Sequence, residues 1–96
     1  SRKWIMEERP RFLKELEKLI HFSFLPTEAN FILMTSKKYT SNEIQEILLE
    51  SNLIIRLPYG FKGLNDNHFR VAIKDETSNR KMFNALEKID QELSIK

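Results

Sequence analysis

The seven residues HFRVAIK, His68 to Lys74, alternate with period two. Phe69, Val71 and Ile73 fall on one side of an extended chain, and Arg70 and Ala72 on the other. A strand of this kind needs a cover for its apolar side and leaves the other side partly open. The open side then carries a guanidinium, a group that is costly to bury and is usually left in water. A second apolar run, LIIRL at Leu53 to Leu57, also carries an arginine, Arg56. The loop between the runs holds both glycines of the protein, Gly60 and Gly63, which implies an unusual backbone or a close approach by another group there.

Around these runs the chain reads as helix and strand in alternation. In SRKWIMEERPRFLKELEKLIHF, Phe12, Leu16 and Leu19, with Leu13 and Ile20, recur at helical spacing. Pro10 either restarts that helix or kinks it. Trp4 and Ile5 lie before the break and have no partner within the stripe. Pro26 ends the segment, and a short apolar run from Asn30 to Thr35 is expected to be a strand. Thr40 and Glu43 have capping-box spacing at the start of a second helix. Its stripe is Ile44, Ile47 and Leu48, and Asn52 is its C-terminal cap. A last helix starts near Thr77 or Ser78 with Met82, Phe83, Leu86, Ile89 and Leu93 on one face.

The expected architecture is an α/β (α+β) two-layer domain covering residues 1–96. It has a three-stranded, mainly antiparallel sheet with helices on one face, in the order α-β-α-β-β-α. Ninety-six residues with 41% hydrophobic content and seven phenylalanines suffice for one core. The absence of cysteine excludes disulfides, thiolate chemistry and cysteine-zinc sites. A formal charge of +2, from 16 basic and 14 acidic residues mixed along the chain, offers no basic block for nucleic acid. No apolar run approaches the roughly 20 residues that span a bilayer, and a signal pattern is lacking. A soluble, cytoplasmic protein is expected. The opening at Ser1, directly into helical sequence, suggests a piece of a longer protein, although removal of an initiator Met gives the same start.

Few residues are candidates for chemistry. His21 and His68 lack metal-ligand spacing and read as structural or surface groups. Glu7, Glu8, Glu15 and Glu17 lie among basic residues, as on a solvated helix face. Ser78 to Lys81, SNRK, has S-x-x-K spacing but falls in the charged first turn of a helix. Arg56 and Arg70 remain. They either point to water and pair with Asp66 or Asp75, or hold an anionic ligand with planar forks that match a carboxylate or phosphate. Neither can cleave a bond, so no catalytic, cofactor-binding or metal-binding residue is assigned.

Five motifs occur in order: P-x-x-ANF-x-L at Pro26 to Leu33, L-I-I-R at Leu53 to Arg56, F-x-GL at Phe61 to Leu64, FRVAI at Phe69 to Ile73, and N-x-x-x-x-x-AL at Asn79 to Leu86. Together they resemble the C-terminal small domain of fold-type I pyridoxal-phosphate enzymes, in the group of histidinol-phosphate aminotransferase and threonine-phosphate decarboxylase. The resemblance implies that Arg70 binds the substrate carboxylate and that Arg56 helps to hold a phosphate. It also implies that pyridoxal 5'-phosphate and its lysine belong to a large domain, that the partners are that domain and a small amino acid or amino-phosphate substrate, and that the full enzyme is a homodimer. Leu57 departs from the polar residue that often follows the first arginine in relatives. Two other readings stand beside it. One is a free-standing α/β module that binds an acidic ligand or RNA. The other is an interaction module whose contact patch is Trp4 and Ile5.

Overall fold

A computed structural model of the chain describes residues 2–28, 30–57 and 66–95, with side chains from Met6 onward except that of residue 28. The side chains of Trp4 and Ile5 and the loop holding Gly60 and Gly63 lie outside the described residues. The elements are α1 (Arg2–Leu16), β1 (Phe22–Glu28), β2 (Phe31–Ser36), α2 (Ser41–Leu49), β3 (His68–Ala72) and α3 (Glu76–Ile95). The strands form one antiparallel sheet in the order β1-β2-β3. Ile32 and Met34 of β2 and Phe69 and Val71 of β3 are buried in one cluster with Phe12 and Leu16 of α1, Ile44 and Leu48 of α2, and Leu86 and Ile89 of α3. The helices therefore cover one face of a three-stranded sheet, as the alternation of β3 requires.

The element order is α-β-β-α-β-α, which differs from the expected α-β-α-β-β-α at two places. First, the opening helix stops at Leu16 instead of running to Phe22, and 22–28 is a strand. The segment after the helix is held from far away in sequence: the carboxylate of Asp90 on α3 accepts the N–H groups of Ile20 (2.9 Å) and His21 (2.7 Å). A helix continuing through these residues would spend those donors internally. Pro26 sits within β1, an edge strand, where the pairing with β2 has a register irregularity between Pro26 and Glu28. Second, Leu53 to Leu57 is not a strand but carries a single bridge at Arg56. Gln45 of α2 takes the backbone groups a neighbouring strand would need, donating to the Leu53 carbonyl (3.2 Å) and accepting from Ile55 N–H (3.1 Å).

The caps of α2 match the sequence. Thr40 and Glu43 form a reciprocal capping box. Asn52 takes φ 60°, with Leu53 N–H bonded to the Leu48 carbonyl at 3.0 Å, so it ends α2 in a left-handed turn of the Schellman type. Helix α1 runs through Pro10 without a break. Pro10 and Met6, one turn back, are both exposed, so the carbonyl that loses its N–H partner lies on the wet side of the helix.

Glu8 corrects the expectation of a solvated acidic face. It is only 7% exposed. Its two oxygens accept from Nε and Nη2 of Arg11, both at 2.8 Å, and Oε2 also accepts from Asn79 Nδ2 at 2.6 Å. The Arg11 fork holds the Glu8 carboxyl below its ordinary value of 4.5, against the opposing effect of burial, and Asn79 adds to the lowering. A group with a depressed folded pKa stabilises the fold above its unfolded pKa and loses that contribution as pH falls through the folded one. Glu8→Gln is thus expected to cost stability at neutral pH and to flatten the loss of stability below about pH 4.5, as read by denaturant unfolding at a series of pH values.

Candidate anion-binding face

The strand register builds the open face. Leu33 lies opposite Arg70 and Phe31 opposite Ala72, so these four side chains share the side of the sheet away from the helices. All four are half-buried, while Leu25 of β1 beside them is 62% exposed. Arg56 joins this face through backbone pairing. Its N–H donates to the Arg70 carbonyl (2.9 Å), and Arg70 N–H donates to the Arg56 carbonyl (2.7 Å). Residues that exchange both bonds in an antiparallel pair point their side chains to the same face.

Two like charges directly opposed across a ladder repel each other. Here both lie over one ring. The guanidinium carbon of Arg70 is 4.1 Å from the centroid of Phe31, and that of Arg56 is 5.9 Å away. Both distances are within the reach of a cation–π contact, and the negative face of the ring offsets part of the repulsion. The two arginines singled out in the sequence are therefore brought together on one surface. Phe31 was visible in the sequence as an apolar strand residue and as part of the P-x-x-ANF-x-L motif, but its place between them depends on the β2–β3 register.

The other candidates do not assemble a reactive site. His21 Nε2 lies 3.0 Å from Ser94 Oγ, and His68 occupies the sheet opposite Thr35. Among the described residues no group of three or more His, Cys, Asp or Glu could hold a metal ion. In SNRK, Ser78 N–H donates to the Asp75 carboxylate at 2.8 Å, which marks Asp75 as the cap of α3 and starts that helix at Glu76. Ser78 also holds the Asp75 carboxyl below the ordinary carboxylate value. The seven lysines with described side chains, Lys14, Lys18, Lys37, Lys38, Lys74, Lys81 and Lys88, are all exposed. A cavity of about 320 Å³ lies next to Ala72, with Lys74, Ser78 and Lys81 in its wall, and another of about 530 Å³ lies against Lys37, Lys38 and Tyr39. Neither has Arg56 or Arg70 in its wall. Among the described residues no helix is long and apolar enough to cross a membrane.

Known proteins are similar to this chain in sequence and fold. The chain is 32% identical over 85 residues to histidinol-phosphate aminotransferase of Methanococcus maripaludis strain C7, covering 88% of the chain and 23% of that protein. It is 29% identical over 86 residues to threonine-phosphate decarboxylase of Salmonella typhimurium, covering 90% of the chain and 23% of that protein. Among solved structures, histidinol-phosphate aminotransferase from Clostridium acetobutylicum superposes with a TM-score of 0.85 at 34% identity, over 93% of this chain and 27% of that one. L-threonine-O-3-phosphate decarboxylase from Porphyromonas gingivalis gives 0.81 at 29% identity, over 92% of this chain and 27% of that one. The chain spans about a quarter of the length of these relatives. The profile of the family described as aminotransferase class I and II matches residues 1–89, and the chain belongs to that family.

Proposed function

We propose that these 96 residues are the C-terminal small domain of a larger pyridoxal-phosphate enzyme, an aminotransferase or an amino-acid-phosphate decarboxylase, and that they bind the anionic groups of its substrate. The observation that carries this reading is the convergence of Arg56 and Arg70 over Phe31 on the open face of the sheet. Arg70 takes the substrate carboxylate and Arg56 a phosphate. The substrate class is a small amino acid or amino-phosphate, as the names of the relatives suggest, and Arg70 has a carboxylate to hold wherever the bound molecule is an amino acid. The full enzyme is a cytoplasmic homodimer in which this domain closes over the substrate, fixes its orientation and excludes water.

The described residues do not fit as the anchor of the cofactor. A lysine that forms an imine near pH 7 must be desolvated or set beside another cation, and every lysine described here is exposed. The cofactor is held elsewhere in the enzyme, and the work of this domain is binding and orientation. Pyridoxal phosphate added to the isolated chain and reduced with borohydride is expected to leave no stoichiometric adduct at a single lysine, as read by mass spectrometry. A stoichiometric adduct at one site overturns the assignment of the cofactor to another domain.

A further inference from the structure

Arg56 stands in no regular strand, and among the described residues one reciprocal bridge to Arg70 is its pairing with the sheet. A lone bridge at a sheet edge opens easily, because no neighbouring pair extends the ladder. The approach to Arg56 is held instead by a side chain of α2. Gln45 Nε2 donates to the Leu53 carbonyl at 3.2 Å, and Gln45 Oε1 accepts Ile55 N–H at 3.1 Å. Residues two apart turn their backbone groups to the same edge of an extended chain. One carboxamide therefore meets both, as a peptide group of a neighbouring strand would. Arg56 turns its own N–H and carbonyl the other way, to β3. The segment is thus gripped along both edges. The grip is rigid, since Ile44 and Leu48 on either side of Gln45 are fully buried and Ile55 is itself a core residue. A half-buried helix position of this kind suits any good helix former, but glutamine supplies a donor and an acceptor together.

We infer that Gln45 is a positioning residue for Arg56: its carboxamide stands in for a missing strand and fixes where the Arg56 guanidinium meets the phosphate of the substrate. This inference rests on the reading of Arg56 as the phosphate-binding arginine. Gln45 touches no substrate atom, and its effect passes through the backbone from Leu53 to Arg56. It therefore sets the preference for phosphate-bearing substrates, whereas the carboxylate contact belongs to Arg70 on β3.

The test assays the complete enzyme with a phosphate-bearing amino substrate and with the same compound lacking its phosphate. The readout is the ratio of the two kcat/KM values. Gln45→Met keeps the reach and helix propensity of the side chain and removes both hydrogen bonds. It lowers the ratio about fivefold, the size expected when one hydrogen-bonding amide is lost. Gln45→Asn keeps the amide but draws it back along the chain. It also lowers the ratio, and it carries the test should the methionine protein fail to fold. In an Arg56→Ala background, Gln45→Met lowers the ratio no further, because its effect passes through Arg56. A merely structural glutamine lowers both kcat/KM values together, and its effect adds to that of Arg56→Ala. That pattern, or a parent-like ratio in both Gln45 variants, overturns the positioning role and leaves the anion site standing. A parent-like ratio in Arg56→Ala alone overturns the phosphate reading of Arg56, and the role of Gln45 with it.

Discussion

In the complete enzyme, Arg70→Lys lowers kcat/KM by about 10- to 100-fold, raising KM and lowering kcat together. The magnitude follows from a charge-assisted bidentate contact of about 1.5–3 kcal/mol, most of which an ammonium cannot reproduce. Lysine keeps the charge but loses the planar fork and the stacking on Phe31, so attraction survives while orientation is lost. A misoriented substrate costs rate as well as affinity, which is why both parameters move. Arg56→Lys gives a smaller change in the same direction, because Arg56 is exposed and its guanidinium lies farther from the ring. Steady-state kinetics with a phosphate-bearing amino substrate is the readout, with thermal unfolding to confirm an intact fold. Unchanged kinetics for Arg70→Lys removes that residue from the site.

Asn79→Ala lowers the unfolding free energy by about 3 kcal/mol, a large share of what a domain of this size holds. Asn79 is 1% exposed and clamps two parts of the chain. Its Oδ1 accepts Lys74 N–H at 2.8 Å, and its Nδ2 donates to the Lys74 carbonyl at 2.9 Å and to Glu8 at 2.6 Å. The amide thus pins the chain just past β3 to the start of α3, and ties both to α1 through the Glu8–Arg11 pair. Alanine leaves the backbone groups of Lys74 without this partner and strips one donor from a buried carboxylate, and such groups are expensive to leave unmade. Denaturant unfolding with an unchanged m-value measures the loss. A change below about 0.5 kcal/mol, the usual size for an inert surface position, contradicts the clamp.

What could be read in the sequence was local or periodic. The stripe of α3 and the alternation of β3 follow from side-chain spacing, and every residue named in the α3 stripe is buried. The capping box at Thr40 and the left-handed turn at Asn52 follow from residue chemistry within one helical turn. The departures come from distant partners. Asp90 holds the segment after the first helix from about 70 residues away, and nothing near Ile20 and His21 announces it. Gln45 satisfies the backbone at Leu53 and Ile55, which looked apolar enough for a strand. Glu8 read as a solvated acid because its partner Asn79 lies 71 positions on.

The candidate site divides along the same line. Arg70 was legible because a charged residue in a clean period-two strand must face away from the core. Arg56 was legible as a second arginine, but its meeting with Arg70 depends on a single reciprocal bridge outside any regular strand. Phe31 carried no sign of its place beside the two guanidinium groups, since an aromatic residue in an apolar run usually belongs to the core. Register placed it on the other face, opposite Ala72.

A crystal structure of the complete enzyme with a phosphate-bearing amino substrate analogue examines the central claim at the atoms concerned. The account predicts nitrogens of Arg70 and of Arg56 at about 2.7–2.9 Å from anionic oxygens of the same ligand molecule, with Phe31 beneath both guanidinium groups. A ligand whose carboxylate and phosphate are both held by other residues, with these two arginines facing bulk solvent, contradicts it.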